Sequence, residues 1–78
     1  MALIDLTQMK SGDTATVKSI KGGFGMVRKL ETLGIRPGVR IKKVSAQFMK
    51  GPVIVRTGNT QVAIGFGMAH RVLVEIEQ

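Results

Sequence analysis

A chain of 78 residues with no cysteine and a formal net charge of +7 is short enough to form one domain with a thin core, because folding at this size buries only about 60% of the unfolded surface. The lack of cysteine excludes disulfides and thiolate metal sites. The charge favours acidic partners, yet three phenylalanines with no tyrosine or tryptophan leave few platforms for stacked bases, which weakens a single-strand nucleic-acid reading. Met1-Ala2-Leu3-Ile4-Asp5 lacks the basic region and long apolar core of a signal peptide. The longest uncharged apolar stretch, Val62 to Ala69, falls far short of the roughly 18 residues that span a bilayer. A soluble cytoplasmic protein is expected.

In chain order, Leu6 and Met9 are spaced for a single helical turn or a coil lid, and Lys10-Ser11-Gly12-Asp13 carries turn chemistry. Thr14 to Ile20 is the first predicted strand, with Ala15 and Val17 alternating against Thr14, Thr16 and Lys18. Ile20 is out of phase, which places a bulge near Lys18-Ser19. Lys21-Gly22-Gly23-Phe24-Gly25 reads as a loop. Met26 to Leu33 reads as a short helix with Gly23 or Gly25 in the N-cap position. Such a helix must be held by packing.

Leu30-Glu31-Thr32-Leu33-Gly34-Ile35-Arg36-Pro37-Gly38 is the densest run of mutually consistent signals. Gly34 takes the left-handed position that ends a helix, and Ile35 then packs back on Leu30. Pro37-Gly38 occupies the centre of a type II turn. The second strand runs from Val39 to about Phe48. Val39 and Ile41 share one phase and Val44, Ala46 and Phe48 the other, so a second bulge is expected near Lys42-Lys43. Gly51-Pro52 marks a turn before the third strand, Val53 to Thr57. Gly58-Asn59 is a two-residue hairpin turn of type II′, and Thr60 to Ile64 is the fourth strand. Gly65 to His70 forms a short helical turn, and Val72, Val74 and Ile76 alternate in the fifth strand. Met9-Lys10-Ser11-Gly12 echoes Ile35-Arg36-Pro37-Gly38 as reused turn chemistry.

Five short bent strands with one small helix predict an all-β fold, a small closed barrel whose closure removes exposed edges. Its expected core is Ala15, Val17, Leu30, Leu33, Ile41, Val44, Val53, Val55, Val62, Ile64, Val72 and Val74. Chemistry is sparse. The acids Asp5, Asp13, Glu31, Glu75 and Glu77 are scattered, with His70 the single histidine. No nucleophile–base pair stands out. Glu75 and Glu77 share a strand face and read either as solvated or as a weak cation site. No catalysis, cofactor or intrinsic iron site is expected, since hard and borderline cations need converging ligands. Gly22-Gly23-Phe24-Gly25 matches no phosphate-binding motif and reads as a flexible loop. Arg36, Arg40, Lys42 and Lys43 cluster after the helix end. Arg40 and Lys42 should point outward, either as a solvated face or as a docking patch for an acidic partner.

The string Arg28-Lys29-Leu30-x-x-Leu33-Gly34-Ile35-x-Pro37-Gly38-x-x-Ile41, followed by Gly51-Pro52-Val53, Val62-Ala63-Ile64 and Ala69-x-x-Val72-x-Val74, resembles ferrous iron transport protein A (FeoA). Leu6-x-x-Met9-x-x-Gly12 matches that family's opening, so the resemblance covers nearly the whole chain, 1–78, as a single domain. It implies an SH3-like β-barrel, a cytoplasmic location with recruitment to the inner face of the membrane, and an accessory role in iron homeostasis. The implied partner is the cytoplasmic GTPase domain of FeoB, the ferrous iron transporter. Transition-metal binding attaches to the family as a whole, and DtxR-type metal-dependent repressors carry the same barrel beside a DNA-binding domain, which is not expected here. Gly67-Met68 stand where charged residues are usual, so that loop would dock differently. Neither direct nucleic-acid contact nor membrane insertion is expected of a FeoA-like chain, and the state would be a monomer or weak homo-oligomer. The alternative is a basic SH3-like barrel that binds RNA or DNA, which salt would distinguish.

SH3-like barrels often present partner-binding side chains on loops. The candidates here are Phe24, Met26, Arg28, Lys29, Phe48, Met49, Lys50 and Phe66, with Leu30 supporting the patch from beneath. Gly34, Pro37, Gly38, Gly51 and Pro52 are the structural turn residues. A lid over the barrel ends is the competing role for the phenylalanines.

Overall fold

A computed structural model of the chain describes residues 3–45 and 51–77. Strand β1 (Leu3–Asp5) runs into a 3₁₀ turn (Leu6–Gln8), followed by β2 (Thr14–Ile20), α1 (Phe24–Thr32), β3 (Arg40–Ser45), β4 (Val53–Thr57), β5 (Thr60–Ile64), the single helical turn α2 (Phe66–Ala69) and β6 (Val72–Ile76). All strands join one antiparallel sheet in the order β1-β6-β2-β3-β4-β5. The sheet is not closed: β1 and β5 are its two edges. The expected closed barrel is therefore corrected to an open, six-stranded sheet. The sixth strand is Leu3–Asp5, which pairs Leu3 with Glu75 and Asp5 with Leu73. Three residues are too few to show a period of two, so periodicity alone cannot reveal it. Short edges such as β1 also blunt edge-to-edge association.

Alternation sets the inner face. Ala15, Val17, Ile41, Val53, Val55, Val62, Ile64, Val72 and Val74 are buried, together with Leu30 and Ile35 from around α1 and Leu6, Met9 and Ala69 at one end. Burying a Val- or Leu-sized side chain contributes about 1.5–3 kcal/mol, so this cluster is the main stabilising element. Of the two expected forms, a helical turn or a coil lid, the structure has the turn: Leu6 starts it, Met9 follows it, and both side chains are buried. Leu33 is half-buried against the core rather than within it. The bulge in β2 falls between Val17 and Ser19, opposite Val74 and Leu73, and turns Ile20 back toward the core.

In β3 the expectation fails in an informative way. The register shifts between Lys43 and Ser45, later than the Lys42-Lys43 site that the apolar pattern suggested. Ile41 and Lys43 therefore point inward, whereas Val44 is 39% exposed. Lys43 is 1% exposed, and its ammonium donates to the carbonyls of Met9 at 2.7 Å, Leu6 at 3.2 Å and Thr7 at 3.5 Å. Burial lowers the Lys43 pKa, against the pull of Asp5 and Asp13. The strand ends at Ser45 among the described residues; its predicted continuation through Ala46 and Phe48 lies outside them.

The joint after α1 forms as the residue order requires. The helix starts two residues earlier than expected, at Phe24, with Gly23 as an N-cap that offers no side-chain bond. At the other end the Gly34 N–H donates to Glu31 C=O at 2.9 Å and the Ile35 N–H to Leu30 C=O at 2.9 Å. This pair of bonds closes the helix with Gly34 at φ 92° and places Ile35 over Leu30. Pro37-Gly38 then turns the chain, and the Val39 N–H donates to Arg36 C=O at 3.1 Å. The echoed turn at Lys10–Asp13 has the same closure, Asp13 N–H to Lys10 C=O at 2.9 Å. Gly38 donates to Val17 C=O and Gly12 to Lys43 C=O, each at 2.8 Å. Gly51 and Pro52 lead directly into β4.

Gly34→Ala should destabilise the fold by about 1 kcal/mol or more, read as a lower urea midpoint. The cost comes from the backbone, since an added Cβ would meet only Thr57 Cγ2, at an ordinary 3.6 Å. Lys43→Met should cost about 1–3 kcal/mol, because it leaves buried carbonyls without their donor. The same urea titration measures it, and an unchanged midpoint would show that those carbonyls find other partners.

Candidate partner-docking surface

Helix α1 sorts its residues by the i, i+4 rule. Leu30 is fully buried and anchors the helix, with Met26 and Leu33 packed beside it on the core. Leu30 thus cannot itself touch a partner; it fixes the residues that can. On the outer side stand Phe24, Arg28 and Lys29, all exposed. Phe24 is 82% exposed, the most of any described large apolar side chain. The Arg28 guanidinium lies 5.6 Å from the Phe24 ring centroid, a cation–π pair contributing about 0.5–1 kcal/mol at an exposed site. It holds an apolar plate and a charge together. Met26 folds back over the preceding loop: a Cβ at Gly22 would come within 2.8 Å of its sulfur.

The loop before α1 is tied to the segment after α2. The Lys21 N–H donates to Arg71 C=O at 2.7 Å, next to the last β2–β6 pair, Ile20 with Val72. The start of α1 and the end of α2 therefore flank the same end of the β2–β6 pair. On α2, Phe66 is half-buried and meets the His70 ring edge-on at 4.6 Å. His70 Nδ1 lies 3.3 Å from the Asp5 carboxylate. That carboxylate also accepts from the Thr7 hydroxyl and from the Thr7 N–H, capping the 3₁₀ turn. Burial would raise the Asp5 pKa, but the bonds from Thr7, with help from His70, hold it below the usual carboxylate value.

Phe24 and Arg28 are thus brought together, and Phe66 sits on a neighbouring element. No ring contact or hydrogen bond among the described residues joins Phe66 to the Phe24 group. Phe48, Met49 and Lys50 lie outside the described residues. The strand that precedes them, β3, ends beside the start of β2, at the opposite end of β2 from α1. The basic cluster after the joint divides. Arg36, Arg40 and Lys42 are exposed, but Lys43 is interior and leaves it. Arg56, which sequence reasoning did not single out, replaces it by pairing with Lys42 across β3 and β4. Among the described residues no three His, Asp or Glu side chains come together as a metal group, and no helix is long and apolar enough to cross a membrane.

Against known proteins, the FeoA domain model matches residues 4–76. A protein of Methanocaldococcus jannaschii named "Putative Fe(2+) transport protein A" is 38% identical over 66 residues, covering 85% of this chain and 78% of that one. Among solved structures, an iron uptake regulatory protein (FeoA) superposes with a TM-score of 0.88 at 34% identity, covering 99% of this chain and all of the other. A manganese-dependent transcriptional repressor superposes with a TM-score of 0.87 at 24% identity, but this chain spans only 42% of it. That likeness is one of fold, the SH3-like fold, alone.

Because the folded-state pKa of Asp5 is depressed, its contribution to stability is fully present above the ordinary carboxylate value and is lost as pH falls through the lower folded value. Acid denaturation of Asp5→Asn should accordingly be shallower than that of the parent in that window, as followed by circular dichroism. An identical acid limb would mean that Asp5 is unperturbed.

Proposed function

This chain belongs to the FeoA domain family, and on that premise we propose that it is a cytoplasmic accessory of ferrous iron uptake that acts by docking on the GTPase domain of a FeoB-type transporter. In this reading it works by binding and turns over no substrate; iron is the cargo of the transporter rather than a resident of this chain. The observation that carries the reading is Phe24. A thin-cored protein leaves a phenylalanine 82% exposed, on a helix whose inner side is locked by Leu30 and with Arg28 laid over its ring. An aromatic anchor beside an arginine is the composition that concentrates binding energy at interfaces. The surrounding Lys21, Arg28 and Lys29 supply steering toward an acidic surface. Met26 is half-buried on the core and Phe66 stands on a neighbouring element; both stay candidates, as do Phe48, Met49 and Lys50.

Immobilised chain should retain the soluble GTPase domain of the cognate transporter. Phe24→Asp should abolish that retention, a loss of about thirtyfold or more for a hot-spot anchor, while its melting temperature stays near the parent's because the ring is outside the core. Arg28→Glu should weaken retention mainly at low salt. Retention by folded Phe24→Asp at parental strength would move the docking face elsewhere. Binding to RNA instead, falling steeply with salt, would favour a nucleic-acid role.

A further inference from the structure

Among the described residues, the charges on the outer face of the sheet pair off except at one point. Register places Thr16 opposite Glu75 on β6 and opposite Arg40 on β3. In the next row the Glu77 N–H bonds Thr14, Thr14 pairs with Lys42, Lys42 with Arg56, and Arg56 with Gln61. Both acids in these rows are already taken. Glu75 lies 3.2 Å from Lys18, and Glu77 accepts two hydrogen bonds from Arg40, at 2.6 and 3.0 Å. Lys42 and Arg56 are left directly opposite each other, both exposed, with no ion-pair partner among the described residues. Like charges in directly opposed positions of an antiparallel pair are destabilising. The fold therefore holds a repulsion that a carboxylate placed between the two cations would convert into two attractions.

The surface around them is shaped for a ligand of modest size. Two shallow depressions meet at Lys42 and Arg56. One, of about 420 Å³, also borders Thr14, Arg40 and Gly58. The other borders Gly12 and Val44, the exposed valine of β3. We propose that this β3–β4 face is a second docking site, separate from the Phe24–Arg28 surface, for a short acidic segment of a partner protein whose carboxylates bridge Lys42 and Arg56 and whose apolar neighbour rests on Val44. A nucleic-acid backbone fits less well. The cation footprint is small, Glu77 bounds it on the β6 side, and neither Phe24 nor Phe66 belongs to its strands. A longer string of phosphates would run onto that glutamate. Phosphate contacts accumulate affinity by number, whereas this face offers two unpaired cations and one already bonded arginine.

The test is an amide-shift titration of the full chain with a hexaglutamate peptide at about 150 mM salt, where surface charges beyond about 8 Å are screened. The expected shifts centre on Thr14, Lys42, Val44, Arg56 and Gln61. Arg56→Glu should lower the peptide affinity about tenfold or more and raise the melting temperature by about 2 °C at low salt, because the cross-strand repulsion becomes an attraction. Arg56→Gln is the milder variant, expected to lose part of the affinity. Shifts centred on Lys21, Arg28 and Lys29, unchanged affinity in both variants, or a lower melting temperature for Arg56→Glu would each overturn the proposal. Tighter binding of a short poly-uridine RNA to the same face would overturn it too, and would assign the face to phosphate.

Discussion

The Lys43 ammonium is the constraint on which one end of the molecule depends. Residues 6–9 reverse direction in a 3₁₀ turn whose carbonyls point into the fold, and a buried carbonyl without a donor costs about as much as a lost hydrogen bond. A lysine supplies three donors on a long apolar stem, and the Leu6, Thr7 and Met9 carbonyls that it meets belong to that turn or lie just after it. Burial disfavours the charge and lowers the Lys43 pKa, but no buried side-chain nitrogen or oxygen among the described residues lacks a partner. Leu6 and Met9 can then lid the core, Asp5 can cap the turn, and β1 can extend the sheet. An apolar residue of similar length at position 43 would fill the volume and leave the lid without its tie.

The same interaction explains where sequence reasoning succeeded and where it stopped. Gly34, Ile35, Pro37 and Gly38 were legible because each carries a local conformational demand and all the demands agree. The β2 bulge was legible because Val17 and Ile20 cannot share a face without one. The β3 bulge was visible as a change of phase, but its position was not. The pattern Ile41-Lys42-Lys43-Val44 invites the reader to bury Val44, and hydrophobicity ranks the two residues the wrong way round. Only the three carbonyls presented by a segment 34 to 37 residues earlier make Lys43 the inward choice. Such a partner is non-local and has no sequence period. The candidate surface shows the same division. Phe24 and Arg28 at i, i+4 could be paired from sequence once the helix began at Phe24, whereas Arg56 beside Lys42 depends on strand register, which no local pattern states.

Helix α1 illustrates how a marginal element can be put to use. Nine residues are too few to be stable alone, its N-terminus lacks a side-chain cap, and its first turn carries no acid to complement the dipole. Its stability comes from the other end, through Leu30, Ile35 and the two bonds around Gly34. Phe24 stands at the start of the helix, in the turn that no side chain caps. Under the proposed docking, Phe24 would meet a partner from this uncapped turn while Leu30 keeps the helix axis in place.

Charge distribution completes this division of labour. A net charge of +7 spread evenly would favour any polyanion and discriminate among none. Here the acids are spent in particular places. Glu75 and Glu77 neutralise Lys18 and Arg40 on the outer sheet face, and Asp5 is committed to Thr7 and His70. Of the cations without an ion-pair partner among the described residues, Arg28 on α1 has an aromatic ring beside it, and Lys42 and Arg56 on the β3–β4 pair have the exposed Val44 beside them. Where an unpaired charge has an apolar neighbour, as in these two places, the combination suits a protein surface better than a bare phosphate chain. Apolar contact adds binding energy that salt does not screen, so specificity survives at the ionic strength at which the charges alone would lose their reach.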